Sequence, residues 1–179
     1  MFKGRRNASL FYSRKKLYLC RMKQRILFVC LGNICRSPAA NGIMEKMVKE
    51  QGLQDLIEVD SAGTQGWHRG ELPDPRMREA ALSHGYTLTH RARRACEEDY
   101  LNFDMIVVMD DYNYEDMSRL APDREYLDKL YRMAEFMTDF PDYHYVPDPY
   151  YEGVEGFHLV IKMLENGCRE ILKHIQNKQ

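Results

Sequence analysis

The stretch Ile26-Leu-Phe-Val-Cys30-Leu-Gly-Asn-Ile-Cys35-Arg-Ser-Pro-Ala-Ala40 decides how the rest of the chain is read. A buried-type run over Arg25 to Val29 reads as a strand and ends in Cys30. After five intervening residues comes Arg36, and Ser37-Pro38 then opens a helix-forming segment. A strand that turns into a helix through such a loop makes a cup for a tetrahedral oxyanion, because loop amides and a helix N-terminus converge on bound anions. Cys30 would lie at the bottom of the cup and Arg36 on its rim. A thiol attacks as thiolate, which amides, the helix end and a guanidinium all favour. Arg36 can hold two oxygens in a planar bidentate contact that lysine does not reproduce.

The intervening residues fit the same purpose. Gly32 permits a tight turn and close backbone approach, and Asn33 tolerates a left-handed conformation. Ser37 suits an N-cap and Pro38 the first helical position. The Ser37 hydroxyl is also placed to donate to the Cys30 sulfur. A Cys-x5-Arg match alone occurs by chance in many chains; its position between a strand and a Ser-Pro helix start makes it informative. No GxxxxGK[ST] or GxGxxG follows the strand. The Cys30–Cys35 spacing is wrong for a zinc knuckle, and no metal site is expected.

Outward from the loop, Ile57 to Asp60 and Met105 to Met109 read as further short buried strands, with a weaker one near Tyr86 to Leu88. Helical patterns cover Pro38 to Gln51, Arg76 to His84 and Tyr112 to Leu120. In the last segment Phe157, Val160, Ile161, Leu164, Cys168, Ile171, Leu172 and Ile175 fall on one helical face. Residues 122–147 suggest a helix and a long loop. Strands alternating with helices predict a single α/β domain: a four-stranded parallel sheet with helices on both faces. The loop would then lie at the C-terminal edge of the first strand, where open α/β sheets bind ligands.

The motifs resemble one family. Cys30 to Pro38, CLGNICRSP, is similar to the signature loop of the low-molecular-weight protein tyrosine phosphatases, and Asp148-Pro149-Tyr150-Tyr151 to that family's general-acid loop. Asp60 to Gly63, Thr89 to Arg93 and Val108 to Asp110 match as well, in order, across residues 25–176. The resemblance implies a flavodoxin-like layering. It implies Cys30 as nucleophile, Arg36 as phosphate binder and Asp148 as general acid and base. Leu31, Gly32, Asn33, Ile34, Cys35 and Ser37 would form the phosphate-binding loop. Asn33, Ser61 and His90 would support it, while Trp67, Tyr150 and Tyr151 wall the substrate. Cys35 would be a redox partner for Cys30, although packing of the loop is an alternative role.

The implied reaction is hydrolysis of phosphotyrosine, in a protein or a small aryl phosphate, through a cysteinyl-phosphate and without metal or cofactor. Three alternatives stand beside it. A phosphoarginine phosphatase would, by the same resemblance, carry Thr where this chain has Ile34. A thiol-dependent arsenate reductase needs more redox cysteines than Cys96 supplies. A non-catalytic phosphotyrosine-binding module would lack the nucleophile or the acid.

Composition points to one soluble, cytoplasmic enzyme domain, expected to be monomeric. The 179 residues are 44% hydrophobic, and five cysteines without paired spacing suit a reducing compartment. Residues 1–24 hold eight Lys or Arg and no acid, leaving eighteen basic against 27 acidic residues, a net of −9, for the remainder. An acidic body weighs against nucleic acid as a partner. The chain therefore divides into a basic extension, 1–24, expected to be disordered, and a catalytic domain, 25–179. Met22 is a natural start, so the extension reads as an upstream start or tail, with a transit peptide or an anionic-lipid contact as alternatives. No stretch approaches a transmembrane helix.

Overall fold

The computed structural model describes residues 23–177; the extension before Lys23, including Met22, lies outside the described residues. In chain order the elements are β1 (Gln24–Cys30), α1 (Arg36–Glu50), β2 (Ile57–Gly63), α2 (Pro75–Ser83), the one-turn α3 (Asp99–Asn102), β3 (Met105–Val108) and α4 (Asp111–Leu120). A 3₁₀ turn (Arg124–Lys129), β4 (Leu130–Arg132), two more 3₁₀ turns (Met133–Phe136 and Pro149–Tyr151) and α5 (Val154–Asn177) complete the chain. The strands form one sheet in the order β2-β1-β3-β4, and every pairing is parallel.

Strand β1 is central and buried on both sides, which is why its sequence is a continuous apolar run. Ile26, Phe28 and Cys30 face the larger core, built by α1, α2 and α5. Leu27 and Val29 face the smaller one, with Ala62, Tyr100, Phe103 and Met117. All eight apolar positions expected on one face of α5 are buried. From β1 the chain winds to β2 on one side, then crosses to β3 on the other. That reversal opens a crevice at the C-terminal edge between β1 and β3, and Cys30 ends β1 there.

Two local expectations change. The fourth strand is β4, not Tyr86 to Leu88. Tyr86 and Leu88 are buried and Thr87 exposed, as in a strand with one covered face, but the segment pairs with no strand. It lies extended over α1, so close that a Cβ on Gly42 would stand 2.5 Å from Leu88 Cδ2. Residues 122–147 hold two 3₁₀ turns, β4 and a loop in place of a helix. Among the described residues no helix is long and apolar enough to cross a membrane.

Candidate active site

Cys30, 2% exposed, stands where β1 gives way to the loop, and α1 begins at Arg36. The loop's shape is set by Asn33, whose φ of 55° is the sole positive value at a non-glycine among the described residues. Its amide is fully committed. Nδ2 donates to Ser37 Oγ at 2.8 Å and to Ser61 Oγ at 2.9 Å, while Oδ1 accepts from the Arg93 amide at 2.9 Å. His90 Nε2 lies 3.2 Å from the same oxygen and must donate to it, which fixes the tautomer. Burial, more than any other influence, lowers the pKa of His90, and Arg93 adds to the effect; nearby Asp60 and a backbone hydrogen bond with Ser61 oppose it.

Ser37 is in the first turn of α1 and makes no side-chain cap, contrary to the N-cap expected of it. Its hydroxyl is drawn into the loop instead. Oγ lies 3.0 Å from Cys30 Sγ and 3.1 Å from the Ala62 carbonyl, and it accepts from Asn33. A hydroxyl has one proton to give. With Cys30 as thiol, Ser37 donates to Ala62; with Cys30 as thiolate, that proton can turn to the sulfur. The glycine on which this packing depends is Gly63, at the end of β2: a Cβ there would meet Leu31 O at 2.8 Å and Asn33 N at 3.0 Å.

Arg36 is 2% exposed. Nη1 donates to Asp110 Oδ2 at 2.5 Å and to the Val146 carbonyl at 3.1 Å, and Nη2 to Asp148 Oδ2 at 2.8 Å. Burial works against the guanidinium charge, but Cys30, Asp148 and Asp110 together hold its pKa above the ordinary value. Nε is buried and makes no hydrogen bond. An orphaned buried donor is costly.

Cys30, Arg36 and Asp148 line one cavity of about 180 Å³ with Leu31, Gly32, Ile34 and Cys35. Trp67, Tyr150 and Tyr151 complete its wall. Trp67 is 70% and Tyr151 92% exposed, so both present free aromatic surface at the mouth. The Asp148 carboxylate, one-third exposed, also accepts from the Tyr150 amide at 3.2 Å. Cys35 is buried against the same loop, and burial above all pushes its thiol pKa strongly up.

Every site residue expected from the sequence is thus brought to this cavity or to the Asn33 network. Four contributors were not foreseen. Asp110 caps α4 through the Asn113 amide and holds Arg36. Arg93 makes a bidentate pair with Asp99, both bonds 3.0 Å, and contacts Asp60 through Nε at 2.9 Å, which fixes the amide that Asn33 accepts. Gly63 admits the loop. His68 lines the cavity, its Nδ1 2.8 Å from Glu71 Oε2. Asp110, Arg93 and Gly63 lie inside the quoted secondary motifs, the available signal.

Residues 25–179 match the family model described as low molecular weight phosphotyrosine protein phosphatase. A low molecular weight protein-tyrosine-phosphatase of Streptomyces coelicolor is 38% identical over 88% of this chain and 96% of its own length. A protein tyrosine phosphatase from Entamoeba histolytica, solved with Hepes in its active site, superposes with a TM-score of 0.84 at 40% identity. That match covers 87% of this chain and 99% of the other. DARP, the Drosophila arginine phosphatase, superposes at 0.78 with 31% identity, over 86% and 98%. On the match of residues 25–179 and these relatives, the chain belongs to the low molecular weight phosphotyrosine protein phosphatase family.

Proposed function

We propose that the chain hydrolyses phosphotyrosine and related aryl phosphate monoesters through a cysteinyl-phosphate on Cys30. The observation that carries this reading is the convergence of Cys30, Arg36 and Asp148 on one aromatic-walled cavity. In the first step the Cys30 thiolate attacks phosphorus and the P–O bond to the aryl group breaks. Arg36 binds the equatorial oxygens through Nε and Nη2, and Asp148 gives its proton to the departing phenolate. In the second, Asp148 as carboxylate takes a proton from water, which attacks phosphorus and releases Cys30. The Ser37 hydroxyl turns to the sulfur and makes it a better leaving group. Positioning and fixed charge supply the acceleration, as phosphoryl transfer requires.

Leu31, Gly32, Ile34 and Cys35 supply the loop, and the Asn33–Ser61–His90 network holds it. Trp67, Tyr150 and Tyr151 offer flat faces to a phenyl ring. A nucleophile that must remain thiolate suits a reducing, cytoplasmic setting. The likeness to the Drosophila arginine phosphatase makes phosphoarginine the substrate to run alongside, against which Ile34 and the aromatic walls argue.

The test is hydrolysis of phosphotyrosine, p-nitrophenyl phosphate and phosphoarginine with EDTA and a reductant present. Turnover of the aromatic esters, lost in Cys30→Ser, is expected. Turnover of phosphoarginine alone would reject the assignment.

A further inference from the structure

Arg76, in the first turn of α2, commits every nitrogen of its guanidinium. Nε donates to Asp74 Oδ1 at 3.0 Å, Nη2 to Asp74 Oδ2 at 2.8 Å, and Nη1 to the Tyr150 carbonyl at 3.1 Å. Its carbon also lies 5.1 Å from the centre of the Tyr150 ring and 5.0 Å from that of Phe157. Asp74 is no passive partner: it caps α2 through the Arg76 amide, and its own amide donates to the Ile34 carbonyl of the phosphate loop at 2.8 Å. Tyr150 closes the chain of contacts, since its amide donates to Asp148 Oδ1. Phosphate loop, Asp74, Arg76, Tyr150 and Asp148 are therefore linked in series.

We propose that Arg76 is a positioning residue that ties the Asp148 segment to the phosphate loop and so sets where the carboxyl stands over Cys30. The proposal rests on the reading of Asp148 as general acid. Asp148 sits in a segment with little regular structure, between β4 and α5. On its upstream side Val146 is fastened twice, by its amide to the Met109 carbonyl at 2.8 Å and by its carbonyl to Arg36. Downstream, Pro149 is buried but Tyr150 and Tyr151 are exposed, and Arg76 ties that turn to α2 through the Tyr150 carbonyl. An exposed ion pair alone would contribute little, and the Arg76 side chain is 47% exposed. Bidentate geometry and two aromatic faces are what make this guanidinium directional. Lysine could keep the charge beside Asp74 but could not serve both Asp74 oxygens, the Tyr150 carbonyl and two rings.

A positioning role is separable from a structural one by the leaving group. A phenolate needs protonation as it departs, whereas a dinitrophenolate leaves without it. In Arg76→Met, kcat/KM for phenyl phosphate, which reports the steps up to release of the phenolate, should fall about 10- to 100-fold, while kcat/KM for dinitrophenyl phosphate falls less than about threefold. The inhibition constant for inorganic phosphate should not move. Arg76→Lys should recover part of the phenyl phosphate rate only. Adding Arg76→Met to Asp148→Ala should cost nothing further, because both changes remove one function. Asp74→Asn keeps a capping oxygen but drops the ion pair, and should show the same substrate dependence more weakly, which covers a failure of Arg76→Met to fold. Equal losses on both substrates, or additive losses in the double variant, would overturn the proposal. If Asp148→Ala itself shows no dependence on the leaving group, the acid assignment fails instead, and the two failures are distinguishable.

Discussion

Arg36 and Asp148 are bonded to one another, Nη2 to Oδ2 at 2.8 Å, across the mouth of the cup that both are proposed to serve. Nη2 carries two N–H groups, so a phosphate dianion entering the cup can share that nitrogen with Asp148. Two anions then lie against one end of the guanidinium, and the Asp148 carboxylate opposes the incoming charge.

Removing the carboxylate separates these effects. Asp148→Ala should lower kcat for phenyl phosphate by about 10²- to 10⁴-fold. Inorganic phosphate should nevertheless bind more tightly, by roughly three- to thirtyfold, because a like charge beside Arg36 is gone. Product-inhibition constants for wild type and variant decide it. An unchanged or weaker constant would show that Arg36 is not held back by Asp148.

Cys30→Ser should lose turnover by at least about 10⁴-fold, as removal of a covalent nucleophile does elsewhere. The hydrogen bonds of Asn33 and Arg36, and those of Ser37 to Asn33 and Ala62, do not involve the sulfur, so phosphate affinity should stay within about threefold by calorimetry. Rapid quenching of the wild type with a labelled substrate should trap phosphate on Cys30. Labelling that persists in the serine variant, or appears on Cys35, would redirect the mechanism.

Asn33 carries more of the loop than any other side chain. Asn33→Ala should destabilise the fold by roughly 2–4 kcal/mol, since buried Ser37, Ser61 and the Arg93 amide lose their partner and a positive φ stays occupied. Asn33→Gly relieves the backbone but not the lost bonds, so it should recover less than about half of that loss. Full recovery in urea melts would mean that the backbone, not the network, governs the loop.

How far such a site is legible depends on where its parts lie along the chain. Cys30 to Ser37 could be read because the proposed nucleophile, the proposed phosphate binder and the hydroxyl lie within eight residues, and because β1 announces itself as an apolar run. Asp110 could not be assigned a role, since its contact with Arg36 joins positions 74 apart, and the Arg93 amide reaches Asn33 over 60. The first contact exists only once the crossover has placed β3 beside β1, and the second only once Arg93 lies against the end of β2 at Gly63. For β4 the difficulty is different. Leu130-Tyr131-Arg132 is too short to show a period, and Arg132 turns outward to Asp111 and the Tyr114 ring. Tyr86 to Leu88 misled for the opposite reason: burial against α1 produced the alternation that sheet pairing also produces.

Acid should loosen the site through His90. Its pKa lies below the ordinary 6.5, chiefly because burial disfavours the charged ring. Between that lowered value and 6.5 the unfolded chain binds more protons than the folded one. Stability therefore rises with pH across this window and is lost as pH falls through it. His90→Gln keeps a donor for Asn33 without titrating, so the slope of Tm against pH below 6.5 should be shallower in the variant. Parallel slopes would assign the acid sensitivity to other groups.

Cys35 should decide whether oxidation is reversible. With its pKa pushed up by burial, the neighbouring Cys30 charge, Asp74 and Asp148, the Cys35 thiol competes poorly for an oxidant, which leaves a Cys30 thiolate as first target. Hydrogen peroxide would put one oxygen on the Cys30 sulfur as its O–O bond breaks and hydroxide departs. The Cys35 sulfur can then displace that oxygen, forming the disulfide and releasing water, before a second oxidation to the sulfinic acid. Peroxide-treated wild type should regain its activity in dithiothreitol, and Cys35→Ser should not, with mass spectrometry finding two added oxygens on the Cys30 peptide. Equal recovery in both would leave Cys35 a packing residue.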